Sequence, residues 1–365
     1  MSRTNFPPVT SVRISFLVAI LIGGASGIVH AQSTPSPALL ILAKRDMTMA
    51  IVDPSSLKVV ARVPAGPDPH EVIASSDGKL AFISNYGGGA YNTISIVDLE
   101  AQKALPRFDL GALRGPHGLD FAGGELYFTA EVAKAIGRYD PAAHKIDWIL
   151  GTGQNRTHMV WVSKDLDRIY TSNVSSGTIS IIEKVASPAG GFGPPPPGGP
   201  AGANRPPGPP PGPPRPDWNE TVVRVGGGSE GFDVSPDGKE LWVGNAQDGT
   251  ISIIDLASKK VVQTLDANVK GANRLKFTPD GSMVFVSSLG QGSLAVFNAA
   301  SRQEAKRIPL GHGAGGILMQ PDGSRAFVAC SPDNYVAVID LKTLEVVGRI
   351  EPGHDPDGMA WATRP

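Results

Sequence analysis

Residues 69–111 read PHEVIASSDGKLAFISNYGGGAYNTISIVDLEAQKALPRFDLG, and this stretch decides the fold. PHEVIAS has the β-branched, period-2 character of a half-buried strand, and SSDGK is a tight turn. LAFISN is a second strand. The Gly-rich YGGGAYN leads to a third, TISIVDL, and EAQK turns into a fourth, ALPRFDLG. The unit recurs. An acid or amide closes the third strand at Asp53 (MAIVD), Asp98 (ISIVD), Asp140 (IGRYD), Glu183 (ISIIE), Asp255 (ISIID), Asn298 (LAVFN) and Asp340 (VAVID), at intervals of 45, 42, 43, 72, 43 and 42 residues. Four short strands repeated at a nearly fixed period of this length predict a β-propeller.

Six complete units start near Pro69, Pro116, His158, Glu230, Ala272 and Ala314. The last residues, PDGMAWATRP from Pro356, match only a first strand. Residues 38–66, ALLILAKRDMTMAIVDPSSLKVVARVPAG, match strands two to four. Joined, they make a seventh blade and close the ring without an exposed sheet edge. The expectation is an all-β, seven-bladed propeller of four-stranded blades over residues 32–365. Turns such as Ser235-Pro236-Asp237-Gly238, Thr278-Pro279-Asp280-Gly281 and Gln320-Pro321-Asp322-Gly323 fit this. Proline presets φ, aspartate caps its own turn, and glycine takes the positive φ.

The 72-residue interval predicts an insertion over 187–216, between strands three and four of one blade. Its 14 Pro and 8 Gly lack a strict three-residue period, which excludes collagen and points to an extended polyproline-rich loop. At the N-terminus, Arg3 and Arg13 precede the apolar run Ile14–Ile22, and Val29-His30-Ala31 resembles a cleavage site. Residues 1–31 therefore read as a signal peptide, with a core too short for a comfortable span. This predicts a periplasmic or secreted protein with no transmembrane segment in its mature form.

Loss of Arg3 and Arg13 with that segment moves the net charge from −1 to −3, which offers no footprint for nucleic acid. Cys330 is the only cysteine, so no intrachain disulfide forms, and no C-x-x-C-H occurs to attach c-type haem.

Strand-two endings FISN (82–85), IYTSN (169–173), WVGN (242–245), FVSS (285–288) and FVAC (327–330), followed by SIVD-like strands, resemble the YVTN-type β-propeller repeat family, as do the openings PHEV (69–72) and PHGL (116–119). The resemblance covers nearly the whole mature chain. It implies an extracytoplasmic seven-bladed propeller, similar in build to lactonase-type propellers and to quinone or haem dehydrogenase propellers.

Aligned by their Asp-Gly turns, the units bring His70, His117, His158, Glu230, Asn273, Gly315 and Asp357 to the mouth of the central channel. Asn85, Glu131, Asn173, Asn245, Ser288 and Cys330 are expected on an outer contour of the same rim, with Arg274 beside Asn273. Such a concave polar surface is the place to look for binding. Three uses fit it. His70, His117 and His158 are candidate ligands for a transition metal, with Glu230 or Asp357 in support. His158 as general base, Glu230 as its partner and Arg274 at an oxyanion would make a hydrolase or lyase, for which the resemblance implies a lactone or cyclic ester. A non-catalytic rim would bind a small molecule or an exported partner protein through His70, His117, His158, Glu230, Asn273, Asp357, Asn85, Asn173 and Asn245, with Tyr86 and Tyr91 as contact anchors.

Overall fold

The computed structural model describes residues 1–2, 33–186 and 216–365. The chain divides into Met1–Ala31 and Gln32–Pro365, and every described strand belongs to the second unit. The signal-peptide expectation and the Pro-rich insertion, apart from Pro216, lie outside the described residues. Among the described residues no helix is long and apolar enough to cross a membrane.

Seven four-stranded antiparallel sheets make a seven-bladed β-propeller. Blade 1 comprises Pro69–Ala74, Leu80–Asn85, Thr93–Asp98 and Lys103–Asp109. The first strands of blades 2 to 6 are Pro116–Ala122, Thr157–Val162, Ser229–Val234, Ala272–Phe277 and Ile317–Met319. Blade 7 takes its first strand from the C-terminus, Pro356–Ala362, which pairs with Ala38–Ala43, itself followed by Thr48–Asp53 and Lys58–Pro64. First strands of successive blades touch in an unbroken cycle around the channel.

Each repeated sequence mark has a local cause. The acid closing strand three caps the next turn: Asp98 Oδ1 accepts the N–H groups of Glu100 and Ala101 at 2.9 Å, and Asp340 does the same for Lys342 and Thr343. In the hairpin between strands one and two, Asp280 Oδ1 accepts from Thr278 Oγ1 at 2.6 Å and from the Ser282 N–H at 3.0 Å, while Gly281 takes φ +73°.

The core lies between blades. Second and third strands are buried on both faces, so alternate residues serve opposite neighbours. Leu40 and Leu42 pack toward blade 1 with Val72, Ala81 and Ile83. Leu39 and Ile41 of the same strand pack toward blade 6 with Phe327 and Val338. Seven such clusters fill the seven seams among the described residues. The seam joined by the two ends of the chain is filled like the others. At about 1.5–3 kcal/mol for each fully buried Leu or Ile, apolar contact between sheets is the main support of the ring. In blade 3 the outer two strands, Thr178–Ala186 and Pro216–Arg224, each reach nine residues and stay paired to Ala186↔Pro216, so the insertion leaves from the end of an extended hairpin.

Candidate functional site

A bulge near the start of strand one aims the mouth residues. Pro69 faces Asn85 and Val72 faces Ile83, so His70 and Glu71 together oppose Ser84. The same irregularity falls at His117, His158, Glu230, Asn273 and Asp357. It frees a backbone N–H, which a strand-two hydroxyl takes up: Gly118 N–H donates to Thr129 Oγ1 at 2.9 Å, Met159 N–H to Ser172 Oγ at 3.3 Å, and Arg274 N–H to Ser287 Oγ at 3.0 Å. Each hydroxyl then donates to the mouth residue of the next blade, at His158 O (2.7 Å), Glu230 O (2.6 Å) and Gly315 O (2.6 Å). The penultimate Ser or Thr of these strand-two endings is thus a blade-to-blade connector.

His158 is clamped between two acids. Its Nδ1 lies 2.5 Å from Glu131 Oε1, and Tyr86 Oη donates to Glu131 Oε2 at 2.5 Å. Its Nε2 lies 2.8 Å from Glu230 Oε1, an ion pair off the line of a good hydrogen bond. Burial works against charge on His158, but the Glu230 and Glu131 carboxylates outweigh it and raise its pKa. Burial would raise the Glu230 carboxyl, yet His158 brings it down to about 2. Glu131 is lowered too: burial opposes the shift, and His158 together with Tyr86 overcomes it. Arg156 adds a further cation, with Nε 3.5 Å from Glu131 Oε2.

His117 is the opposite case. Its ring lies against His158, tilted by 32° with centroids 3.7 Å apart, and meets Tyr86 edge-on at 5.0 Å. Burial, then the charges on His158, His70 and Arg274, holds its pKa well below the ordinary value, so it is neutral. Its Nδ1 is buried and without a hydrogen-bond partner among the described residues. On the other side His70 sits between Asp68 (3.3 Å) and Asp357 (3.6 Å), and Lys44 Nζ is 3.0 Å from Asp357 Oδ2.

One position deeper, small residues and one charged pair alternate around the ring. Residues following the mouth positions are Glu71, Gly118, Met159, Gly231, Arg274, Gly316 and Gly358. The glycines are forced by crowding, since a Cβ on Gly358 would lie 2.4 Å from His70 O and one on Gly316 2.4 Å from Asp357 O. Arg274 of blade 5 pairs through its guanidinium with Glu71 of blade 1 while donating to Asn273 O at 3.0 Å. Arg274 is a buried tie across the channel, spent on Glu71.

The structure gathers His70, His117, His158, Glu230, Asn273 and Asp357 at one mouth. It separates Asn85, Asn173 and Asn245, which are fully buried. Each bonds to a Thr and a Ser of its own third strand: Asn85 with Thr93 and Ser95, Asn173 with Thr178 and Ser180, Asn245 with Thr250 and Ser252. They tie the second and third strands of their own blades together, and Asn245 Oδ1 has no hydrogen-bond partner among the described residues. Glu131 also moves. Strand two of blade 2 ends at Ala130, so Glu131 stands one residue further, in register with Lys44, Tyr86 and Ser331. Aligning Glu131 with the strand-two endings of the other blades hides that second ring, the residue after strand two, because it sets blade 2 out of register by one. Tyr91, the other expected anchor, is exposed at 41%.

The donors do not suit a metal shared by His70, His117 and His158. Both nitrogens of His158 face carboxylates, and its ring meets His117 face to face at a tilt rather than sharing a vertex with it. Among the described residues no group of three or more His, Cys, Asp or Glu side chains is arranged to hold a metal ion.

No protein-family model matches the chain, and no curated protein matches it. Solved structures do. A functionally unknown protein from Desulfotomaculum acetoxidans superposes with a TM-score of 0.67 at 14% identity, over 90% of this chain and 100% of that one. A Bacteroides uniformis protein provisionally assigned as a 6-phosphogluconolactonase gives 0.65 at 15% identity, over 89% and 99%. The dihydro-heme d1 dehydrogenase NirN in complex with DHE gives 0.59 at 15% identity, over 90% and 75%. At these identities the likeness is one of fold.

Proposed function

We propose that the channel mouth binds a small polar molecule. His117 carries this reading: a neutral imidazole, 3% exposed, with Nδ1 unpaired beside a cationic His158. Leaving a buried polar atom unpaired costs about 1–3 kcal/mol. A ligand that hydrogen-bonds Nδ1 removes that cost on binding. Burial favours a small molecule over an exported partner protein, because a flat surface does not reach so far into the mouth. A thermal-shift screen of small metabolites with wild type and His117→Phe tests this. Ligands that stabilise wild type and lose their effect in the variant support it. Equal shifts in both defeat it.

A second reading is ring opening of a lactone or cyclic ester. The observation favouring it is a neutral imidazole in ring contact with an imidazolium. His117 Nδ1 would take a proton from water as the water oxygen bonds to the carbonyl carbon. The oxyanion would form beside the His158 charge, without a hydrogen bond from it, and the departing ring oxygen would receive the proton back from His117. The general-base role thus passes from His158, which is held at both nitrogens, to His117. A fold neighbour provisionally assigned as a lactonase is compatible with this. Lactone hydrolysis by wild type that disappears in His117→Ala is the expected result.

The same reading takes the chain as an exported member of the YVTN-type repeats, supported by Arg3, Arg13, the run Ile14–Ile22 and the strand-two endings. Mass spectrometry of protein from the cell envelope should find a chain beginning at Gln32.

A further inference from the structure

Gly315 is the one mouth position without a side chain. A methyl group placed on it would lie 3.4 Å from Ser331 Oγ, 3.6 Å from Asn273 Oδ1 and 3.6 Å from Asp357 Oδ1. Three oxygens, from blades 6, 5 and 7, face one small space. All act as acceptors there. Ser331 donates its proton to Pro356 O at 2.5 Å, which leaves its lone pairs. Asp357 meets Lys44 and His70 through Oδ2, and no hydrogen bond reaches its Oδ1 among the described residues. Asn273 Oδ1 is buried and unpaired.

We infer that this nook is a subsite for a hydrogen-bond donor on an uncharged polyhydroxy ligand, such as a sugar, a sugar lactone or a polyol. The inference rests on the mouth being a small-molecule site and names what it selects. Three convergent acceptors reject a carboxylate or phosphate, whose oxygens bring no proton. A cationic ligand is disfavoured because Asp357 is already met by Lys44 at 3.0 Å and feels the Arg274 charge as well. A hydroxyl brings the proton without the charge. The second ring supplies part of the site through Ser331, and the glycine supplies the room.

Filling the room is the test. Gly315 lies outside the left-handed region, and the contacts its methyl would make are ordinary van der Waals distances, so Gly315→Ala should fold as wild type does. An uncharged hexose, its amino-sugar and sugar-acid counterparts and a pentitol are titrated by calorimetry into wild type, Gly315→Ala, Ser331→Ala and His117→Phe. Expected are binding of the uncharged probes in preference to the charged ones, and a loss of about ten-fold or more in Gly315→Ala. Unchanged affinity in Gly315→Ala with a loss in His117→Phe overturns the subsite and leaves the mouth. Unchanged affinity in both overturns both. Preference for the amine or the acid overturns the subsite, and so does failure of every hydroxyl probe to bind, as when the Asn273 amide turns to satisfy Ser331 and Asp357 from within.

Discussion

Replacing Arg274 by methionine leaves the largely buried Glu71 carboxylate without its cation. The Arg274 and Glu71 side chains are 7% and 13% exposed, so solvent does little to repair the loss. Breaking a buried pair from one side costs about 3–5 kcal/mol, whereas replacing both partners with apolar residues of similar size is often neutral. Unfolding entropy near 2.1 cal/mol/K per residue gives about 0.7 kcal/mol/K for a unit of this size. The single variant should therefore melt about 4–7 °C below wild type, and Glu71→Leu/Arg274→Met within about 2 °C of it. Scanning calorimetry at low and high salt makes the comparison, and burial predicts little salt dependence of the difference. A single variant that melts with wild type refutes the cross-channel tie. A double variant that falls as far as the single refutes the pairing as its basis.

Glu131→Gln should lower the His158 pKa by about 1–3 units, read by imidazole NMR, because one of two adjacent carboxylates is gone. In wild type, the raised His158 pKa contributes stability that is present below its ordinary 6.5 and lost as pH climbs through the raised value. The depressed Glu230 contributes stability present above 4.5 and lost as pH falls toward about 2. His117, held neutral in the fold, costs stability as pH falls below 6.5, so the melting temperature should peak near 6.5, and Glu131→Gln should flatten its alkaline side. Gly118→Ala would put a Cβ 2.5 Å from His158 O, so it should destabilise by about 1–3 kcal/mol and shift the His158 resonances. Cys330 is fully buried and its thiol is pushed up by burial, so a thiol reagent should label it only at the rate of unfolding.

Blade number and closure were legible because each mark has a local cause. Asp98 caps its own turn, Gly281 takes the positive φ of its hairpin, and Leu39 to Leu42 alternate between two seams. Mouth residues were legible because the bulge falls at one place in nearly every unit. Their chemistry was not. Arg274 meets a partner 203 residues away, and no single repeat unit contains both. Asn85, Asn173 and Asn245 carry polar groups at a strand end near a rim, and nothing in one unit tells whether such an amide turns inward to Thr and Ser or outward to a ligand. Glu131 needed the true end of its strand, which only pairing with Ala135 at Ala130 supplies.

The strand that closes blade 7 also carries Asp357. Until Pro356–Ala362 pairs with Ala38–Ala43, the Gly315 nook lacks an acceptor, and Lys44 and His70 lack the carboxylate between them. Sealing the ring and arming the mouth are thus one event. A molecule with an open seam has an incomplete mouth as well as an unpaired edge, and under the proposed function its ligand would draw on the same contacts that hold the two ends of the chain together.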